Sequence, residues 1–171
     1  KIYGETKEIS LPSYKGEKYR GCTQREPLGV VVGIIPWKFS IMIAIWKRAA
    51  ALVCGCTVVL KPSEFTPLTM LRVAQLAAGV GFPPGTVNFL NGNGGLLGPL
   101  LIDPPFCAEV TFAGSVPTGR AVGNAASALA KPATLELGGK NAALFLADMS
   151  VSEMVDGIME AGYVNQGQIC A

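Results

Sequence analysis

The sequence predicts an α/β fold: a mostly parallel sheet with helices on both faces. Two observations carry this. From about residue 28 onward, short apolar runs rich in β-branched residues alternate with longer helix-forming stretches. Strands buried on both sides read as such runs, and the connection between parallel neighbours is normally a helix. The chain also carries 21 glycines and 12 prolines, many for a helical bundle but suited to tight strand–helix turns. With 171 residues, half of them hydrophobic, there is enough apolar surface for one compact core.

Residues 1–27 are polar, and "KYRGCTQRE" reads as a strand or arm. "VVVGII" (30–35), bounded by glycine and proline, is a buried strand. The stretch 39–54 is apolar almost all round and reads as a buried helix; Lys47 and Arg48 interrupt it, and its apolar runs are too short to cross a bilayer. "TVVLK" (57–61) is the next strand. Thr66 as N-cap and Pro67 in the first turn open a helix that ends near Gly79. "TVNFL" (86–90) is a strand, followed by a glycine-rich turn and a short helix near 95–102. "AEVTFAG" (108–114) precedes a helix from about 117 to 130. "ATLEL" (133–137) and "AALFLA" (142–147) are the last strand candidates, and "SVSE" (150–153) fits a capping box that opens the final helix.

Charge and special residues narrow the function. Fourteen basic and twelve acidic residues leave a net charge of +2, with no basic block for nucleic acid. No histidine occurs, which excludes a Ser-His-Asp triad, a Cys-His dyad and any histidine-bearing zinc site within the chain. The five cysteines are odd in number and lack a Cys-x-x-Cys pair. No disulfide framework and no metal site are expected, and the setting reads as reducing and cytoplasmic.

Ligands of parallel sheets bind beyond the carboxyl ends of the strands, so the residues just after each strand matter most. Pro36 and Trp37 follow the first strand; Trp37 is either a core tryptophan or a flat face for a ligand. Lys61 and Glu64 flank a proline turn after the second, either as a solvated loop or as a pair able to hold ribose hydroxyls. "NGNGGLLG" after the third lacks Gly-x-Gly-x-x-Gly spacing and reads as turns or as a close backbone approach. Gly114, Ser115 and Gly119 sit where a helix begins, a place that favours phosphate. Glu136 lies in an apolar strand, as a structural carboxylate paired with a lysine or as a general base. Cys170 alone reads as an inert core thiol.

Taken together, "IIPWKF", "VVLKPSEFTPLT", "GFPPGTVNFLNG", "FAGSVPTGR", "LELGGKNAALF" and "NQGQICA" resemble the aldehyde dehydrogenase superfamily over residues 28–171. The wording is most similar to phenylacetaldehyde and related broad-range members. The resemblance implies a Rossmann-like cofactor domain over 28–147, preceded by an arm with partial strands (1–27). Residues 148–171 would be a helix and the nucleophile segment of a further domain. It implies that Cys170 attacks an aldehyde to give a thiohemiacetal, that hydride transfer to a nicotinamide leaves a thioester, and that Glu136 activates the hydrolytic water. Lys47 takes a supporting catalytic role. Lys61 and Glu64 match the adenosine-ribose side, and Gly94 the adenine end. Gly114 and Ser115 match the pyrophosphate side, Leu137 and Gly138 the nicotinamide side. Ile34, Ile35, Pro36, Trp37, Ser63, Phe112 and Gly119 match further cofactor-binding positions. Glu64 should repel a 2′-phosphate, which favours NAD over NADP. The implied partner is a small-molecule aldehyde, with no nucleic acid and no membrane, in a parent that is a homodimer or homotetramer.

Two departures stand out. The family writes "PWN" where this chain has "PWK", so Lys38 replaces the asparagine that donates to the developing oxyanion. Family members also run to several hundred residues, so the chain is expected to be an internal fragment that exposes apolar surface and oxidises no aldehyde alone. Two other functions share these motifs. A non-catalytic cofactor-binding relative is favoured by Lys38. A CoA-acylating enzyme is disfavoured by Glu136 within "LELGGK".

Overall fold

A computed structural model of the chain describes residues 6–170. Residues 1–5 of the predicted arm and Ala171 of the predicted nucleophile segment lie outside the described residues. β1 (Thr6–Ile9) and β2 (Gly21–Gln24) form an antiparallel ribbon of their own. β2 falls in the predicted arm. β1, "TKEI", is exposed throughout and carries no apolar alternation by which to read it.

The main sheet holds β3 (Val30–Ile34), β4 (Thr57–Lys61), β5 (Val87–Phe89), β6 (Cys107–Ala113) and β7 (Ala133–Glu136). Its order is β5-β4-β3-β6-β7 and every pairing is parallel. The connecting helices are α1 (Ser40–Val53), α2 (Leu68–Gly79), α3 (Gly94–Ile102) and α4 (Val116–Ala128), and α5 (Val151–Tyr163) follows the sheet. No described helix is long and apolar enough to cross a membrane.

Alternation along β3 explains its unbroken apolar run. On one face Val31 packs with Ala51 of α1 and with Cys56 and Val58, while Ile35 packs with Ile43, Ala44, Leu60 and Met70. On the other face Val32 joins Val110, Phe112, Ile102 of α3, and Val122 and Ala126 of α4. The expected two-sided cover is therefore present, with α1 and α2 on one face and α3 and α4 on the other.

Four local expectations need correction. The run 142–147 is not a strand. It forms no ladder with β7 or any other described strand, and Leu144 is 89% exposed; apolar content without a hydrogen-bonding neighbour does not make a strand. The α2 N-cap is Pro67, not Thr66. The Thr66 hydroxyl instead donates to the Trp37 carbonyl at 3.1 Å, so a tertiary contact outcompetes the local cap. α1 is not buried all round: Ile41, Met42, Ile45 and Trp46 are exposed, because only Ser40, Ile43, Ala44 and Ala51 are fully buried. Glu136 is exposed rather than enclosed, since β7 is an edge strand.

The topology locates a site before any side chain is considered. From β3 the chain winds outward through β4 to β5, then returns to place β6 on the other side of β3 and continues to β7. The order reverses between β3 and β6, and a crevice opens at the carboxyl ends of such neighbours. Register aligns those ends: Ile34 pairs with Lys61 and with Phe112, and Ala113 pairs with Glu136.

Candidate active site

The loop after β3 is built by hydrogen bonds to its own carbonyls. The Ser40 hydroxyl donates to Pro36 at 3.0 Å and is within 3.1 Å of the Trp37 carbonyl. Thr66 ties the same carbonyl from the loop after β4. Phe39 takes a left-handed backbone (φ 48°) as the α1 N-cap, which turns the chain sharply after Lys38. Trp37 is 46% exposed and so is not a core tryptophan. It borders an open apolar groove of about 640 Å³ shared with Phe39, Met42, Phe65 and Leu68.

Lys38 and Cys170 meet at this loop. The Lys38 Nζ lies 2.6 Å from the Cys170 Sγ, across 132 residues of sequence. Both side chains are half-buried. A tight turn after α5 carries the cysteine in: Asn165 (φ 52°), Gln166 (φ 60°) and Gly167 (φ 73°) are successively left-handed. For Asn165 and Gln166 such a backbone costs about 1–2 kcal/mol per residue. The Asn165 amide offsets part of that cost by donating to the Gln168 carbonyl at 3.2 Å.

The residues after β4 form a compact cradle. Lys61 is almost fully buried, and its ammonium pairs with the Glu64 carboxylate at 2.7 Å. The other carboxylate oxygen accepts from the Gly94 N–H at 3.1 Å. Lys61, then the backbone N–H donors, holds the Glu64 carboxyl at about 2, well below the ordinary carboxylate range. A Cβ on Gly94 would stand 3.5 Å from the Lys61 Nζ and 3.8 Å from a Glu64 oxygen, filling the cradle at its mouth. Ser63 is buried and its hydroxyl accepts from the Phe65 N–H at 3.3 Å, so it shapes this turn.

Beyond β6, Ser115 caps α4 and accepts from the Thr118 N–H at 3.5 Å. Pro117 in the first turn has no N–H to satisfy. Gly114 is half-buried beside it, with its N–H bonded to the Glu136 carbonyl at 3.0 Å. Gly119 is buried in α4 with the Leu137 side chain where its Cβ would be, so it lets the segment just after β7 pack closely on the helix. Ile35 and Phe112 are core residues and Ile34 is half-buried. Gly138 is exposed after β7.

Lys47 does not join Lys38 and Cys170. It donates to the Thr111 hydroxyl at 2.6 Å and to the Phe112 carbonyl at 3.4 Å. It lines a cavity of about 560 Å³ with Glu109, Thr111 and Thr134, and Cys170 is not among the lining residues. Burial pushes the Lys47 ammonium below its ordinary value, while Glu136 and then Glu109 oppose that shift. Glu136 accepts no side-chain hydrogen bond among the described residues. Glu109, Thr111 and Thr134 went unread in the sequence, although Glu109 and Thr111 alternate on one face of an otherwise apolar strand.

This geometry fits a dinucleotide on three structural grounds. The crevice falls at the β3/β6 reversal, the Lys61–Glu64–Gly94 cradle follows the adjoining strand β4, and α4 begins directly after β6.

Comparisons agree with the fold. A profile described as the aldehyde dehydrogenase family matches residues 1–171. The chain is 46% identical to a phenylacetaldehyde dehydrogenase of Pseudomonas fluorescens, covering 99% of this chain and 34% of that protein. It is 44% identical to human 4-trimethylaminobutyraldehyde dehydrogenase over 88% of the chain and 30% of that protein. Among solved structures, an NAD+ complex of a Bacillus cereus aldehyde dehydrogenase superposes with TM-score 0.87 at 40% identity, over 95% of this chain and 33% of that one. An NAD-dependent aldehyde dehydrogenase of Sinorhizobium meliloti gives TM-score 0.88 at 40% identity, over 99% and 33%. The chain thus spans about a third of the length of the relatives it matches.

Proposed function

The chain belongs to the aldehyde dehydrogenase family, and from that premise we propose that it forms the NAD-binding part of an enzyme oxidising an aldehyde to a carboxylic acid. The observation that carries this reading is the position of Cys170. Its sulfur lies against the loop after β3, 2.6 Å from Lys38, at the strand end where the sheet order reverses. A nucleophile there stands beside the crevice that a dinucleotide would occupy.

Cys170 adds to the aldehyde carbon through sulfur, which makes a tetrahedral oxyanion beside the Lys38 ammonium. The ammonium supplies positive charge where the family's asparagine supplies an amide N–H. NAD, when bound, is the two-electron acceptor that allows the thiohemiacetal carbon to become a thioester. Glu136, exposed at the end of β7, is free to take a proton from the water that attacks the thioester. That step releases the acid and restores the thiol. Lys61 and Glu64 hold the ribose hydroxyls, with Gly94 leaving space for the backbone approach. Ser115 and the α4 N-terminus face the pyrophosphate. Glu64, already ionised at neutral pH, repels a 2′-phosphate and selects NAD over NADP.

The test uses the full-length protein that carries this chain, with phenylacetaldehyde as first substrate because a relative bears that name. NADH production followed by absorbance should be lost in Cys170→Ala. Glu136→Gln should give one rapid equivalent of NADH per site and then stall, because the thioester forms but is not hydrolysed. Undiminished steady-state turnover in either variant would sink the assignment.

A further inference from the structure

The Lys38–Cys170 contact supports a second chemistry, independent of aldehyde turnover. We propose that these two side chains form a reversible covalent sulfenamide when Cys170 meets a hydroperoxide, making the pair a modification site. Four features carry the idea. The nitrogen and sulfur are 2.6 Å apart, closer than the near-attack separation of about 3–3.5 Å. No carboxylate among the described residues lies within salt-bridge reach of Lys38; the Phe39 ring, 5.9 Å away, is its other recorded partner. No other described side chain hydrogen-bonds the Cys170 sulfur. Both groups are half-buried, open enough for a small oxidant yet held in contact.

The steps balance. The Cys170 sulfur attacks the terminal oxygen of the hydroperoxide and the O–O bond breaks. Sulfur loses two electrons to become a sulfenic acid, and the peroxide is reduced to water or an alcohol. The Lys38 amine, after giving a proton to solvent, then attacks that sulfur. An S–N bond forms, the S–O bond breaks, and the oxygen leaves as water with one proton from nitrogen. Sulfenic acids are known to condense with thiols and with backbone nitrogen, and here the side-chain amine is already in place. The net change is loss of two hydrogens from the pair. A small thiol reverses it: it attacks the sulfur, frees the amine and leaves a mixed disulfide, which a second thiol reduces. Held as a sulfenamide, Cys170 cannot pass to the sulfinic acid and cannot attack an aldehyde.

The experiment uses the full-length protein, reduced, treated with hydrogen peroxide, alkylated, digested with trypsin and analysed by mass spectrometry. The expected product joins the Lys38 and Cys170 peptides at their summed mass less two hydrogens. Lys38 resists cleavage in it, and dithiothreitol abolishes it. Cys170→Ser should lack the cross-link. Lys38→Arg keeps the positive charge but should shift the product to sulfinic acid at Cys170. Sulfinic acid or a disulfide at Cys170 with unmodified Lys38 in the unsubstituted protein would overturn the proposal, and so would a cross-link retaining an oxygen atom. Aldehyde activity is not read in this assay, so its failure leaves the aldehyde reading standing, and the reverse also holds.

Discussion

Lys38 is the residue that the resemblance sets in place of an asparagine, and the structure puts its ammonium on the sulfur of Cys170, the proposed nucleophile. The Lys38 ammonium offers the oxyanion charge but not the fixed amide N–H of an asparagine, and loss of such a donor costs about 10²–10³ in turnover. Lys38→Asn in the full-length protein should therefore raise kcat, measured with saturating NAD and aldehyde; equal or lower turnover would contradict this. Glu64 offers a pH test. Its folded value, about 2, lies below the ordinary 4.5. The pair's contribution to stability is thus fully present above about pH 4.5 and fades as pH falls toward 2. The Tm gap between the protein and Glu64→Gln should close across that interval. Two glycines separate binding from packing. Gly94→Ala meets only ordinary contacts, so it should leave Tm in place while weakening NAD binding in a titration. Gly119→Ala meets Leu137 in the interior and should cost about 1–3 kcal/mol of stability.

At the scale of elements, helix ends decide more than helix interiors. α3 ends on three carbonyls, of Ile102, Asp103 and Pro104, and the Lys131 ammonium accepts this role by donating to them at 2.5, 3.1 and 2.6 Å. Lys131→Met should lower stability by about 1.5–3 kcal/mol, the range for a hydrogen-bonded charged group, read by denaturant titration. The α5 capping box is present as its sequence suggests, with Ser150 accepting from the Glu153 N–H and Glu153 reaching back to the Ser150 N–H. The strands of the main sheet and the helices α1–α5 were legible as short β-branched runs and longer helix-forming stretches separated by turn residues. The run 142–147 misled because it has apolar content but no neighbour to pair with. β1 escaped because its four exposed residues, three of them polar, carry no apolar period.

For the molecule as a whole, the distribution of apolar surface matters most. None of α5 is fully buried, although Val151, Val155, Ile158 and Met159 repeat at helical spacing. On α1, Ile41, Met42, Ile45 and Trp46 are likewise exposed. Faces of this kind bury themselves against something. The isolated 171-residue chain should self-associate in analytical ultracentrifugation and bind an apolar dye. The full-length protein should sediment as one discrete species and bind far less of the dye.

Sequence alone determined the element types, the two-sided burial of the central strands and the candidate residues at strand ends, because periodicity and turn chemistry are local. The tertiary structure decided what those residues touch. It put Lys38 on Cys170 across 132 residues, sent Lys47 into a cavity with Glu109 instead, left Glu136 exposed on an edge strand, and gave Lys131 to the end of α3. Such contacts depend on strand order and register, which are set by how whole faces pack, and no local stretch of sequence encodes them.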